Sequence, residues 1–295
     1  MVSNFFRALI SRFFIEEDWN IGIIDKPIQA VLYDSDFFES IKWIKKTNQY
    51  FLADPFHLPN SDWIYCEMYN FHSRIGTIVK IDPESADQEP KESNITSKAH
   101  LSYPFMFSDF DGVYCIPESS AEDKVSIYKL ENEVFKIKKT LIKENLVDST
   151  ILQNNHKYWL FCTKSTENYG KEKLHIYSSV NPFEEWEAHI KNPVKSYISS
   201  SRPAGGFFEY KGELYRPAQN CEVDYGKIIA INKIIELTEN EFKEEHVVNL
   251  KADKFHYYND GIHTINAFGS KTIIDGKRKV FSPLKPLKTL FSNSK

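Results

Sequence analysis

The sequence predicts an all-β chain folded as a five-bladed β-propeller, and three observations carry that prediction. One plan, a short strand, a turn and an aromatic-rich second strand, recurs five times. The recurrences begin at residues 54, 103, 148, 202 and 263, with separations of 49, 45, 54 and 61 residues. The composition favours strands: aromatics make up 15% of the chain, with 22 Phe and 16 Tyr, while only 11 residues are Gly. Hairpins returning every ~40–50 residues mark propeller blades, because one small sheet cannot bury both faces alone and stacked sheets can.

The repeats run as follows. The first is Asp54-Pro55-Phe56-His57-Leu58, a turn at 60–62, then Trp63-Ile64-Tyr65-Cys66-Glu67. The second is Tyr103-Pro104-Phe105-Met106-Phe107, a turn at 109–112, then Val113-Tyr114-Cys115-Ile116-Pro117-Glu118. The third is Asp148-Ser149-Thr150-Ile151-Leu152, a turn at 154–156, then Tyr158-Trp159-Leu160-Phe161-Cys162. The fourth opens with Arg202-Pro203-Ala204-Gly205-Gly206-Phe207-Phe208 and returns through Glu213-Leu214-Tyr215-Arg216. The fifth and weakest is His263-Thr264-Ile265-Asn266-Ala267-Phe268, followed by Lys271-Thr272-Ile273-Ile274. Further strand-like runs at 76–81, 125–130, 174–178 and 227–231 could complete the blades, and 82–98 reads as a long loop. The expected organisation is an amphipathic segment over 1–16, the propeller over 17–278 and a basic tail over 279–295.

With 41% hydrophobic and 26% charged residues the chain has an ordinary globular composition. A net charge of −4 gives no global attraction to nucleic acid, and none is expected as a partner. No apolar run approaches the ~18–20 residues of a membrane span, and neither GxGxxG nor GxxxxGK[ST] occurs. At the N-terminus Arg7 and Arg12 interrupt the apolar stretch, which argues against an export signal. Phe6, Leu9, Ile10 and Phe13 have helical spacing, suited to packing on the body or to lying on a membrane surface. Lys277-Arg278-Lys279, Lys285, Lys288 and Lys295 follow the last acid, Asp275, with Leu284, Leu287, Leu290 and Phe291 between them. That tail reads as solvated or as attracted to anionic lipid. The expected location is cytoplasmic, with peripheral contact at the inner face of a membrane. Cys66, Cys115 and Cys162 each follow an aromatic in an apolar run, as buried thiols on strands do.

Repetition brings equivalent positions together around an axis. The leading residues Asp54, Tyr103, Asp148, Arg202 and His263, with Glu67, Glu118 and Gln219 from the second strands, are polar where each repeat is otherwise apolar. Such a ring suits a hydroxyl-rich ligand: carboxylates accept from hydroxyls, and Arg202 can grip an anion. The competing role is to tie blades together by hydrogen bonds. Asp54, Glu118 and Asp148 are the candidates for proton transfer; Glu67, Tyr103, Arg202, Gln219, Tyr225 and His263 are the candidates for binding. Ser199–Ser201 reads as a polar loop, His256, Asp260 and His263 as loop and channel residues in preference to metal ligands, and 241–245 as a solvated charged face. No metal and no cofactor are expected.

Eight motifs occur in order: Phe51-Leu52-Ala53-Asp54-Pro55-Phe56, His100-Leu101-Ser102-Tyr103-Pro104-Phe105, Ile116-Pro117-Glu118-Ser119, Asp148-Ser149-Thr150, Ser201-Arg202-Pro203-Ala204-Gly205-Gly206, Arg216-Pro217-Ala218-Gln219, Tyr225-Gly226 and Gly261-Ile262-His263-Thr264. Together they resemble the N-terminal domain of plant glucosamine inositolphosphorylceramide transferases, over about residues 17–278. That domain also occurs in bacteria, alone or joined to formyltransferase-like domains. The plant enzymes' recognised glycosyltransferase domain is a separate C-terminal one. A more distant similarity is to the five-bladed furanosidase-type propellers of glycosyl hydrolase families 32, 43 and 68. It implies Asp54 as base or nucleophile and Asp148 as the residue that tunes a pKa. The strand that should open with the acid Glu opens with Arg202, which suits a phosphate leaving group better than proton donation.

The expected function is sugar recognition in cell-surface glycan or glycolipid biosynthesis, with transfer from a phosphate-activated donor as its finer form. The alternatives are a noncatalytic glycan-binding partner of a separate transferase and a furanosidase-like glycoside hydrolase. The expected partners are a sugar or sugar-phosphate ligand and a glycan-assembly transferase.

Overall fold

A computed structural model describes residues 13–283 and 285, apart from 59–60, 86, 110, 165–172, 253–254 and 256. The strands form five antiparallel sheets, one per blade, and the all-β five-bladed propeller is the observed fold. Strands β1 (Ile15–Ile24) and β2 (Lys42–Trp43) come first in the chain but belong to the last blade. Blade one is β3 (Tyr50–His57), β4 (Ile64–Asn70), β5 (Ile75–Ile81) and β6 (Lys91–Glu92). The 82–98 segment thus carries a short outer strand, β6, which pairs with β5 through Val79 and Lys80. Blade two is β7 (Ser102–Asp109), β8 (Gly112–Glu118), β9 (Val125–Glu131) and β10 (Val134–Ile142). Blade three is β11 (Leu146–Asn154), β12 (Lys157–Lys164), β13 (Lys173–Ser179) and β14 (Glu187–Ala188). Blade four has a broken first strand, β15 (Arg202–Pro203) and β16 (Phe208–Tyr210), then β17 (Glu213–Asn220), β18 (Ile228–Leu237) and β19 (Phe242–Lys251). Blade five joins both ends of the chain: β20 (Ile265–Phe268) and β21 (Lys271–Phe281) pair with β1 and β2.

The closing pair is long. β1 and β21 run in register from Ile15 opposite Phe281 to Ile24 opposite Thr272. Ile21, Ile24, Ile273 and Ile274 on these strands are fully buried. At about 1.5–3 kcal/mol for each large aliphatic side chain, their burial helps hold the ring shut. Lys277, Arg278 and Lys279, which the sequence groups with the basic tail, are strand residues with acidic partners: Glu17, Asp18 and Asp260 respectively. Residues 1–12 and most of the tail lie outside the described residues.

Blades meet through their first strands and through apolar faces. One core cluster packs Phe56 and Tyr65 of blade one against Phe105, Ile116 and Ile127 of blade two and Leu160 of blade three. Cys66, Cys115 and Cys162 are buried on β4, β8 and β12, and burial pushes their thiols up. The 241–245 segment is exposed at Glu241, Lys243 and Glu245, as a solvated face would be, and departs from that expectation at Glu244. Glu244 on β19 is buried and chelates Arg216 with two bonds of 2.7 and 2.8 Å, and Lys195 pairs with the same carboxylate.

One local feature positions the site. The first strands of blades one to three each carry a register shift, between Ala53 and Phe56, Ser102 and Phe105, and Val147 and Thr150. Inside each shift the leading residue takes a positive φ: 51° at Asp54, 40° at Tyr103 and 53° at Asp148. Pro55 and Pro104, with no N–H for the ladder, follow at two of them. A bulge bends the strand and re-aims a side chain, and backbone strain at a non-glycine residue persists only where surrounding bonds hold it.

Candidate active site at the axial mouth

The bulges open on a cavity of about 440 Å³ lined by Asp54, Glu67, Glu118, Asp148, Arg202, Tyr225 and His263, among others. Of the site residues expected from the sequence, Tyr103 and Gln219 do not line it. The Tyr103 ring is fully buried in the core, and its hydroxyl bonds Thr150 Oγ1 at 2.9 Å and accepts from the Gly205 amide at 2.8 Å. Gln219 lies behind the wall, where its amide donates to Asp148 Oδ2 at 3.3 Å and to the Pro203 carbonyl at 3.1 Å. Both hold other residues in place.

The backbone amides of the three bulged leading residues each meet a carboxylate. Asp54 N–H donates to Asp275 Oδ2 at 3.1 Å, Tyr103 N–H to Asp54 Oδ2 at 3.2 Å and Asp148 N–H to Glu118 Oε2 at 3.2 Å. The acids therefore hold the bulges, and the bulges hold the acids.

One half of the wall centres on His263. Its Nδ1 lies 2.5 Å from Asp275 and its Nε2 3.6 Å from Asp54. Trp19 from β1 stacks on the ring at 4.1 Å. Burial would depress the imidazole, but Asp275 and then Asp54 outweigh it and lift it to about 9. Asp275, fully buried, also accepts the His263 and Thr264 amides at 2.9 and 3.0 Å. Asp54 accepts from Thr264 Oγ1 at 2.6 Å. Burial raises the Asp54 carboxyl to about 7; His263 opposes the rise, while Asp275, Glu67 and Asp148 add to it.

The other half pairs Glu118 and Asp148 with Arg202. Arg202 Nε donates to Asp148 Oδ2, its Nη2 lies 4.0 Å from Glu118, and its guanidinium sits 5.2 Å from the Tyr225 ring centre. Burial, then the Asp148 charge, pushes the Glu118 carboxyl well up, with Arg202 opposing. Arg202 thus faces two acids of this chain, and its charge is engaged before any ligand arrives.

A third pair sits at the rim. His100 Nε2 lies 3.2 Å from Glu67 Oε1, and its Nδ1 accepts the Gly76 amide at 3.1 Å. The hydrogen bond to Glu67 raises the His100 imidazole. Gly76 leaves the room for this: a Cβ there would stand 2.4 Å from Glu67 Oε1. Phe51 and Tyr69, stacked at 4.8 Å, and Phe71 complete an aromatic wall.

Sequence reasoning missed Trp19, His100, Asp275 and this wall. Trp19 sits on β1, ahead of the first repeat, and Asp275 on β21, one residue past the last residue assigned to the fifth repeat. His100 stands three residues before a leading position, within a motif already noted. Of the weaker readings, Ser201 Oγ donates to the Tyr197 carbonyl, and Asp260 pairs with Lys227 and Lys279; His256 lies outside the described residues. Asp54, His263 and Asp275 offer donor atoms within 4.8 Å of one another, close enough for a cation. The imidazole, held protonated to about pH 9, already supplies positive charge there.

A sequence model of the N-terminal region of glucosamine inositolphosphorylceramide transferase 1 matches residues 42–266. The chain belongs to that family. The Arabidopsis thaliana relative of that name is 34% identical over 209 residues, covering 67% of this chain and 27% of the plant protein. The Oryza sativa subsp. japonica relative is 31% identical over 206 residues, 66% of this chain and 27% of its own length. The family domain here thus spans about a quarter of the curated relatives it matches. Among solved structures, a thermostable family-43 glycoside hydrolase aligns over 68% of this chain and 76% of its own at a TM-score of 0.52 and 11% identity, a likeness of fold. No helix among the described residues is long and apolar enough to cross a membrane.

Proposed function

We propose that the axial cavity binds a sugar and serves sugar transfer in glycan or glycolipid assembly. The observation that carries this reading is the convergence of Asp54 and Glu118, both with raised carboxyl pKa, on one cavity beside an aromatic wall. Carboxylates and neutral carboxyls suit hydroxyls, and the Phe51–Tyr69 pair offers an apolar face to a sugar ring. The relatives' name, a glucosamine transferase, supports a sugar as the ligand class.

Transfer needs a proton acceptor for the attacking hydroxyl and a proton donor for the departing oxygen. Asp54, balanced near pH 7, takes the first role, and Glu118, kept protonated by burial and by Asp148, takes the second. Arg202 and Gln219 fix Asp148; Asp275 and His263 fix Asp54. Because Arg202 is engaged by acids, the cavity wall favours the hydroxyl-bearing part of a donor over its phosphate.

The test is calorimetric titration with monosaccharides and sugar nucleotides, followed by transfer assays with acceptor panels. The expected result is sugar binding that Asp54→Asn weakens, and transfer that rises with pH through about 7 and falls as Glu118 loses its proton. Binding without turnover in any panel would assign the site to a noncatalytic partner. Release of reducing sugar from furanosides would assign it to hydrolysis. Unchanged binding in both Asp54→Asn and Glu118→Gln would remove the site.

A further inference from the structure

In every blade the chain passes the candidate site first and a second hollow a few residues later. Blade one gives Asp54 to the site and Phe56 to the hollow, blade three Asp148 and Ile151, and blade four Arg202 and Phe207. Blades two and five follow the same order. The hollow, of about 590 Å³, is therefore the opposite mouth of the propeller. A hydrogen-bonded floor separates the two. The Tyr103 hydroxyl joins Thr150 to the Gly205 amide, and the Asn266 side-chain oxygen accepts the Gly206 amide at 2.7 Å.

The two mouths differ in charge. The candidate site is walled by acids; among the described residues that line the hollow there is no Asp, Glu, Lys or Arg. Its polar side chains are largely spent on the protein. Besides holding Gly206, Asn266 donates to the Pro55 carbonyl at 2.8 Å. His57 Nε2 donates to the Ser61 carbonyl at 2.6 Å, and burial pushes the imidazole below its ordinary value, so it is neutral near pH 7. Gln153 donates to the Tyr158 hydroxyl at 3.3 Å. An occupant is thus offered little hydrogen bonding and no charge. What remains is apolar, and much of it is aromatic. Phe105 stacks on Phe107 at 6.0 Å and meets the edge of Phe56 at 5.8 Å, with Met106 and Phe207 on the same lining. Phe107, Leu152 and Phe207 are only half-buried, so apolar surface faces the opening. Because strands from all five blades surround it, the hollow is a bowl and not a long slot. Offset or edge-on contact with several rings, and with a thioether, favours a flat ring over an extended chain.

We infer that this opposite mouth is a second binding site, and that it takes an uncharged, apolar ligand built on an aromatic ring system. A concave, apolar, largely preformed hollow of this size is what such a ligand requires. The inference concerns the far side of the floor and stands apart from what the candidate site binds.

The experiment titrates the full chain with N-phenyl-1-naphthylamine, a neutral aromatic probe whose emission rises in apolar surroundings. One probe per chain is expected. Unlabelled 2-naphthol should displace it at lower concentration than 1-heptanol, an alkanol of similar hydrophobicity. Combined Ser108→Asp and Ala267→Asp, at exposed positions on the lining, should weaken probe binding about tenfold or more while circular dichroism and the melting temperature stay as they are. Phe107→Leu keeps the apolar surface and removes a ring, and should weaken the probe about twofold to tenfold without changing heptanol. The proposal is overturned if the probe does not bind, if the double substitution binds it as tightly as the parent chain, or if heptanol competes better than naphthol. A dimer on sizing that the double substitution abolishes, without probe binding, would give the bowl to a second copy and overturn it too. Sugar titrations of the doubly substituted chain should match those of the parent, so the two readings fail separately.

Discussion

Two buried ionic clusters in this propeller look alike by burial and differ in what they can do. In blade four, Arg216 and Glu244 are almost wholly buried and joined by two bonds, with Lys195 on the same carboxylate. Burial alone would raise Glu244, but Arg216 and then Lys195 hold it below the usual range, so it stays ionised. The cluster lines none of the main cavities and ties the 195–200 loop to β17 and β19, with Arg216 also bonding the Ser200 carbonyl. At the axis, acids outnumber bases: Asp54, Asp275 and Glu67 share His263 and His100, while Glu118 and Asp148 share Arg202. Surplus buried acid raises carboxyl pKa values, and raised carboxyls facing a cavity can exchange protons with a ligand. Burial of charge marks both clusters; cation surplus or acid surplus, and an opening, separate a lock from a site.

The largest effect should come from the lock. Arg216→Ala strands the Glu244 carboxylate beside Lys195 alone and should lower stability by about 3–5 kcal/mol in denaturant unfolding. Replacing both partners with apolar residues, Arg216→Met with Glu244→Leu, should restore much of that. A loss under about 1 kcal/mol in the single variant would show the cluster to be dispensable and break the contrast.

Next comes the pH dependence of the site. The folded-state carboxyl of Asp54 lies near 7, above its ordinary 3.8, so the folded protein binds that proton more tightly than the unfolded chain. The stability this supplies is fully present below about 3.8 and is lost as pH rises through about 7. His263, lifted from 6.5 to about 9, adds stability that is present below 6.5 and lost as pH rises through about 9. The melting temperature should therefore fall from pH 6 to 9, and Asp54→Asn should flatten the part of that fall near 7. A parent chain whose melting temperature rises over that range would contradict the site's electrostatics. Tyr103→Phe comes third. It removes a hydroxyl that bonds Thr150 and accepts the Gly205 amide, leaving that buried amide unpaired, and should cost about 1–3 kcal/mol of stability without moving the pH midpoint of activity. A shifted midpoint would make Tyr103 part of the chemistry.

The same contrast explains how far the sequence could be read. The blades were legible because each is a local hairpin whose alternation survives in the sequence, and Asp54 and Asp148 were legible because they interrupt apolar strands at a repeated place. Tyr103 occupies that place too, yet its ring turns into the core; the repeat shows the position but not where the side chain points after the bulge. Trp19 and Asp275 were hidden because the blade that presents them is assembled from opposite ends of the chain. Glu244 sits in a run of charges that looks solvated, and only Arg216, from a different strand, makes its burial tolerable. Partners distant in sequence decide whether a charge is a surface residue, a lock or a reagent.

The smallest effect sharpens the site side of the comparison. The Glu67–His100 pair is partly exposed on its histidine side, so His100→Ala should cost under about 1 kcal/mol of stability. The functional effect should be clearer than the structural one. Glu67 raises the Asp54 carboxyl, and the bond from His100 draws on that same Glu67 charge. Without His100 the Glu67 carboxylate repels a charged Asp54 more strongly, and the acid limb of the activity or binding profile should move to higher pH. An acid limb that stays in place, with binding intact, would uncouple the rim pair from Asp54 and confine the chemistry to the His263 and Arg202 halves of the wall.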